Sequence, residues 1–367
     1  MTARKLPETH PTALIWEVGT AYEFFVSLHV LHEPDFFDLR PSWAAKIRSR
    51  IPTTERTFLE EVYYFLNFPL AWLYKLPEPK NAISVIYSLQ QTPPAERGTA
   101  LLSLNRGLKP ESQSLLKIAE HRTWDKDDLA VLTPLMCKKN EAGRVHDEGA
   151  LIKYLNWWAR PEDFGNMLLS SLQAYQLAFF EQEEQRVGPV LQAGIEHARQ
   201  LADHLTVSEL ISKLSQGVSY EEPIGKELIL VPTFWMTPLV QLERISEDKQ
   251  IFLFGARPST MSAIPGELVP EGLLIALKAL ADPTRLKILN YLSKEELTPS
   301  ELSRRLNLRA PTVVHHLKEL RLAGLVNLTL RGQEKFYGAR LEALDSTHID
   351  LKRFLVNPPE AGKDTRS

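Results

Sequence analysis

Along most of this chain apolar residues recur at three- and four-residue intervals, the spacing that places them on one face of an α-helix. Tyr22, Phe25, Val26, His29 and Val30 form the first such stripe, which Pro34 ends because proline cannot continue the helical ladder. Further runs predict helices near 42–49, 53–67, 79–90, 93–104, 111–121 and 125–137, divided by Pro, Gly or Asn. Two longer stripes follow: Leu168, Leu172, Tyr175 and Phe179, then Leu191, Ile195, Ala198, Ala202 and Leu205. Gly188-Pro189 is expected to break the chain between them. Thr206 and Glu209 spell a capping box for a short helix ending near Gly217. Residues 13–18 (ALIWEV) read as a short strand. The runs ELILV (227–231) and QIFLF (250–254) read as strands expected to pair. The stretch 255–270, rich in Gly, Pro and Ser, marks a boundary, and 356–367 is expected to be a disordered tail.

Beyond the boundary the pattern tightens. LLIALKAL (273–280) is helical, and Asp282-Pro283 restarts a helix, with Asp282 as N-cap and Pro283 at the first helical position. Thr298-Pro299-Ser300-Glu301 repeats the device as a capping box and opens a helix over 299–307. A third helix over 310–323 carries Val313, Leu317 and Leu320 inward and ends at Gly324. Val326, Leu328 and Leu330 then alternate with polar residues, Arg331-Gly332 turns, and Lys335-Phe336-Tyr337-Gly338 returns. Helix, helix, short turn, helix, hairpin is the order of a winged helix-turn-helix. The expected fold is therefore mainly α. A large N-terminal helical domain with a small β element (1–265) precedes the winged helix-turn-helix (266–345), and a C-terminal extension covers 346–367.

Charge sharpens this picture. The 367 residues carry a net charge of −3, yet residues 301–341 hold eight basic and three acidic side chains, making that segment +5 and the rest −8. A local cationic footprint on an acidic protein suits contact with phosphates. In such a fold the third helix enters the major groove with its first turns against base edges. Ala310, Thr312, Val314 and His315 are the candidates for that role. Arg304, Arg305, Arg309, Lys318 and Arg321 are placed to meet phosphates, which position without specifying. Arg331 at the hairpin tip and Lys335 beside it are candidates for the minor groove or a flanking phosphate.

The segments ALADPTRLKILNYL and TPSELSRRLNLRAPTVVHHLKELRLAGLV, followed by a short hairpin, resemble the ArsR/SmtB family of bacterial repressors over about a fifth of the chain. The resemblance implies a homodimer on a palindromic stretch of double-stranded DNA, whose grip changes when an effector binds. Three features depart from the family. PSELSRRL carries no Cys-x-Cys metal pair. Asp345, His348 and Asp350 are not followed by a second histidine. Arg309 stands where the recognition helix usually has a Ser cap. No cofactor and no metal are expected. The start WEVGTAYEFFVSLHVL is similar to proteins that join a helical domain to such a module, which implies dimerisation or binding of a small organic effector.

Other features read more plainly. No run reaches the ~18 apolar residues of a membrane helix, and the N-terminus lacks the apolar core of a signal peptide, so a cytoplasmic protein is expected. Cys137 is the single cysteine, which excludes an internal disulfide. His29, His32, Glu33 and Asp35 resemble a metal cluster, but His29 lies in an apolar stripe and reads as a core histidine. Seven aromatic residues between Phe58 and Tyr74 line either a ligand pocket or, as the better reading, the core. There is no P-loop, G-x-G-x-x-G, G-x-S-x-G or H-E-x-x-H, so no enzyme is expected. The alternatives to DNA binding are a winged-helix adaptor for protein contacts and an uncharacterised enzyme domain fused to a regulator.

Overall fold

A computed structural model describes residues 12–66, 68–102, 110–137, 148–220, 225–267 and 269–356. Strand β1 (Ala13–Trp16) leads into helix α1 (Thr20–His32), the stripe that Pro34 was expected to stop. Short helices follow: α2 (Pro41–Arg48), α3 (Thr53–Val62), α4 (Leu70–Tyr74), α5 (Ala82–Gln91) and α6 (Pro94–Ala100). Then come α7 (Pro110–His121), α8 (Lys126–Cys137), α9 (Glu148–Trp158) and α10 (Pro161–Tyr175). Their apolar faces, with Phe58, Phe65, Tyr154, Trp158 and Phe164 fully or nearly buried, share one core. Phe65 stacks on Tyr154 at 4.7 Å and Phe58 meets Trp157 edge-on at 4.9 Å. The aromatic run of 58–74 is thus core packing in its larger part. The close approach of α6 to α10 depends on Gly165, where a Cβ would stand 1.8 Å from the Pro94 carbonyl oxygen.

The expected break at Gly188-Pro189 is absent. One helix, α11 (Glu181–Ala202), runs straight through Pro189, and the irregularity lies earlier, in a π-turn over Gln176–Phe180. Val187, Leu191 and Ile195 are all fully buried at four-residue spacing on both sides of the proline. That continuous anchoring outweighs the roughly 3 kcal/mol a mid-helix proline costs. The wide π-turn lets the adjacent Phe179 and Phe180 both turn inward.

Helix α12 (Val207–Leu214) opens on the Thr206–Glu209 capping box and is followed by β2 (Val218–Tyr220). Strands β3 (Glu227–Thr233), β4 (Gln241–Arg244) and β5 (Lys249–Gly255) join β1 in a sheet of order β1-β3-β5-β4, with β4 alone antiparallel. The runs ELILV and QIFLF pair in parallel, Ile229 opposite Ile251. Both sheet faces are covered, so both runs are apolar throughout. Ile229, Val231, Ile251 and Leu253 face the helical core, while Leu228, Leu230, Phe252 and Phe254 face α11 and α12.

The Gly/Pro/Ser-rich stretch after β5 is clamped on both sides. Glu271 accepts hydrogen bonds from the Ser262 hydroxyl at 2.6 Å and the Ala263 amide at 2.7 Å. From α11, Arg186 donates to the Ala263 carbonyl at 2.8 Å while its Nε forks onto both oxygens of Glu183 at 3.0 and 3.1 Å. Nearby, the wholly buried Glu23 accepts from the backbone amides of Phe234 at 2.8 Å and Trp235 at 3.2 Å. The remaining elements form a third, separate apolar cluster. They are α13 (Glu271–Leu280), α14 (Pro283–Leu292), α15 (Pro299–Leu306), α16 (Ala310–Leu322), β6 (Val326–Arg331), β7 (Glu334–Ala339) and α17 (Leu341–Val356). The predicted order of helices and hairpin is the one observed. Helix α17 runs past residue 345, and the tail beyond Val356 lies outside the described residues.

Candidate nucleic-acid interface

Each element of the C-terminal unit is set by its local chemistry. Asp282 caps α14 through the Arg285 amide at 2.9 Å. At the start of α15 the Glu301 carboxylate accepts from the Thr298 amide at 2.7 Å, and the Thr298 hydroxyl accepts from the Glu301 amide at 3.3 Å. Asn307, at φ 53, ends that helix in the left-handed region, and the Ser303 hydroxyl donates to the Leu308 carbonyl, fixing the turn into α16. Arg309 is the N-cap of α16 and makes no side-chain cap bond, as expected where Ser is missing. Gly324, at φ +67, closes α16 with the Leu325 amide on the Leu320 carbonyl at 2.9 Å.

Val313, Leu317 and Leu320 anchor α16 in its own core at 0–1% exposure. Opposite them Ala310, Thr312, Val314 and His315 are exposed, Val314 at 52%. An exposed, well-anchored helix start flanked by cations is free to enter a groove. Arg304, Arg305 and Arg309 are exposed around the same end, and Arg331 and Lys335 are exposed on the hairpin. The hairpin turns through Gly332 at φ +59, with Arg331 opposite Glu334. Its return strand is tied to the α14–α15 loop by reciprocal 2.9 Å bonds between Leu297 and Tyr337.

Two residues assigned to phosphates stand elsewhere. Arg321 is only 8% exposed; its Nη2 donates to the Ser215 carbonyl at 2.6 Å, and burial lowers its pKa to about 10. It faces inward because α12 and β2 cover that end of α16, which the local pattern around Arg321 does not reveal. Lys318 is half-buried, with its ammonium 4.8 Å over the Phe36 ring. Acidic neighbours also stand at this cationic face, which the run of basic residues does not disclose. Arg305 pairs with Glu295 at 2.6 Å, and Arg331 with Glu296 at 2.6 Å, whose other oxygen accepts from Thr329. The Glu295-Glu296 pair directly before the Thr298 cap was the available signal.

The candidate metal clusters do not assemble. Among the described residues no three His, Cys, Asp or Glu side chains converge as metal ligands would. His29 packs against Phe37, Tyr63 and Phe68, and burial pulls its pKa down. His32 stacks on Tyr63 at 4.0 Å, and burial depresses it to about 3. His316 is half-buried near Asp282, its pKa also lowered by burial. No described helix is long and apolar enough to cross a membrane.

Residues 282–327 match the family model described as "Bacterial regulatory protein, arsR family". The arsenical resistance operon repressor of Staphylococcus xylosus is 35% identical over 86 residues, which are 23% of this chain and 81% of that protein. The transcriptional repressor SdpR of Bacillus subtilis is 31% identical over 70 residues, 19% of this chain and 78% of that one. The transcriptional activator HlyU of Vibrio cholerae is 44% identical over 76 residues, 21% of this chain and 66% of that one. With a 35%-identical relative spanned over four-fifths of its length, the chain belongs to the arsR family of bacterial regulatory proteins, and its winged helix is the DNA-binding part of a transcriptional regulator.

Proposed function

We propose that this protein is a homodimeric, sequence-specific regulator that binds an inverted-repeat site in double-stranded DNA through residues 266–345. The observation that carries the reading is the exposed first half of α16, with Arg304, Arg305, Arg309, Arg331 and Lys335 exposed around it. Ala310, Thr312, Val314 and His315 meet base edges, and the basic residues meet phosphates. The dimer is supported by apolar side chains left exposed on two helices that pack together. Leu274 and Leu277 lie on α13, and Leu341, Ile349, Leu355 and Val356 on α17. A two-fold dimer of such units reads two half-sites, hence an inverted repeat. Residues 1–265, which the family match leaves uncovered, serve dimerisation, the binding of a small organic effector, or both, with 346–367 as an extension. Two of the three relatives above are repressors, which favours repression; the reading places the protein in the cytoplasm and gives it no catalytic role.

The test is selection of bound duplexes from a random pool, then binding measured over a salt series. Arg304→Ala weakens binding to every sequence and lowers the salt slope by about one. Thr312→Ala and His315→Ala change which sequence is preferred. Identical behaviour of the two classes overturns the assignment of roles.

A further inference from the structure

Strand β2 lies more than sixty residues upstream of the family match at 282–327, yet it forms part of the wing. It pairs in parallel with β6, Val218 opposite Leu328 and Tyr220 opposite Leu330, making a three-stranded sheet of order β2-β6-β7. The Leu328 amide donates to the Gly217 carbonyl at 2.8 Å. Just before this strand, the end of α12 is held by two cations. Arg321, from the last turn of α16, donates to the Ser215 carbonyl at 2.6 Å. Arg340, at the end of the wing, donates to the carbonyls of Gln216 and Gly324, both at 2.9 Å. Cations at a helix C-terminus meet the negative end of its dipole. Gly217 permits this approach: it sits at φ +97, and a Cβ there would stand 2.0 Å from Asn327 Oδ1. The other side of α12 is fixed, since Leu210 and Ile211 are buried against Leu228, Leu230, Phe252 and Phe254 of the four-stranded sheet.

A recognition helix and a wing read one duplex only if the angle between them is held. Here the segment 215–220 touches both: Arg321 at the exit of the helix, and β6 and Arg340 along the wing. We propose that Arg321 and Gly217 are positioning residues for DNA reading, through which residues 215–220 fix the angle between α16 and the wing. The inference rests on the DNA-binding reading above. Contacts to base edges need that angle, whereas attraction between exposed arginines and phosphates tolerates its loss.

The experiment uses the full-length chain with Arg321→Met and Gly217→Val, each checked for wild-type helix content by circular dichroism. Two probes are titrated by fluorescence anisotropy over a salt series: a duplex enriched by the wild-type protein from a random pool, and a random-sequence duplex. The expected result is a specific-to-random affinity ratio reduced about 3- to 30-fold, with random-duplex affinity and salt slope unchanged. If Arg321→Met does not fold, Arg321→Lys, which keeps the charge but not the guanidinium fork, carries the same comparison. An unchanged ratio overturns the proposal, including the case where both affinities fall by one factor as folded protein is lost. So does a salt slope lowered by about one, the mark of a direct phosphate contact. A wild-type chain that binds no duplex overturns the DNA-binding reading as well. A selective wild type with an unchanged ratio in the variants overturns this inference alone.

Discussion

Glu23 is the buried group whose ionisation most directly tests how the N-terminal core is built. Its carboxyl is wholly buried where α1 meets the turn after β3, and burial, opposed by the Phe234 and Trp235 amides, raises its pKa to about 8. The charged neighbours are Glu183, which raises it further, and Arg257, which opposes; Arg186 and the buried phenol of Tyr175 stand behind Glu183. A carboxyl that keeps its proton to pH 8 when folded, but only to about 4.5 when unfolded, makes folding take up a proton between those values. Stability from this group is therefore highest at low pH and falls as pH rises through that window, by at most about 1.4 kcal/mol per pH unit. His32, depressed to about 3, acts in the opposite sense, costing stability as pH drops below about 6.5. Between pH 6.5 and 8 Glu23 accounts for a loss of about 2 kcal/mol, and the contributions of the histidines cancel when a Glu23 variant is compared with wild type. In Glu23→Gln the amide oxygen still accepts one backbone N–H, but its NH2 faces the other. The variant therefore starts less stable by an amount that does not depend on pH. Urea unfolding of both proteins at pH 6.5, 7.25 and 8 should show the gap narrowing by about 2 kcal/mol. A gap that stays constant refutes a protonated, buried Glu23.

Two further outcomes follow from geometry. Gly165→Ala forces a Cβ to within 1.8 Å of the Pro94 carbonyl, so α6 and α10 must separate. The expected loss is roughly 1–3 kcal/mol in urea unfolding, and an unchanged midpoint would contradict the close contact. Glu295→Gln frees Arg305 from its 2.6 Å partner and removes a negative charge beside the cationic face. Affinity for random duplex should rise a few-fold at low salt and converge with wild type at high salt, as screening demands; equal affinities at low salt would show that Arg305 does not face phosphate.

The C-terminal unit was legible because its information is local. Asp282, Thr298 with Glu301, Asn307 and Gly324 each fix a helix end through atoms three to five residues away, and the stripe Val313, Leu317, Leu320 states which side of α16 is covered. The strands ELILV and QIFLF were legible from their continuous apolar runs. What failed was non-local. Pro189 looks like a break until the buried stripe on both sides is known. Strands β2 and β4 have only three and four residues, too few to show a period, and β2 finds its partner more than a hundred residues downstream. Arg321 looked like its neighbours Arg304 and Arg309 because a basic residue on a recognition helix has the same pattern whether it faces phosphate or a carbonyl.

Magnitudes decide which of the joints between the N-terminal region and the reading unit matters. One set lies at the surface: Lys278 with Asp38 at 3.3 Å and Arg40 with Glu267 at 2.8 Å, with the half-buried Lys318 ammonium over Phe36 beside them. Pairs of this kind contribute about 0–1 kcal/mol each and weaken with salt. The other set is buried or part-buried: Arg321 and Arg340 on the carbonyls of residues 215 and 216, the β2–β6 ladder, and the clamp of Arg186 and Glu271 on residues 262–264. Breaking a buried charged hydrogen bond costs about 1–3 kcal/mol or more because the partner left behind is not rehydrated. On these magnitudes α12, β2 and the 262–264 loop tie the N-terminal core to the reading unit more firmly than the 34–40 segment does. The firmer set ends on the same strand that carries Arg331, whereas the base-facing half of α16 is held by its own core, so the wing is the part of the reading unit tied most directly to the N-terminal region.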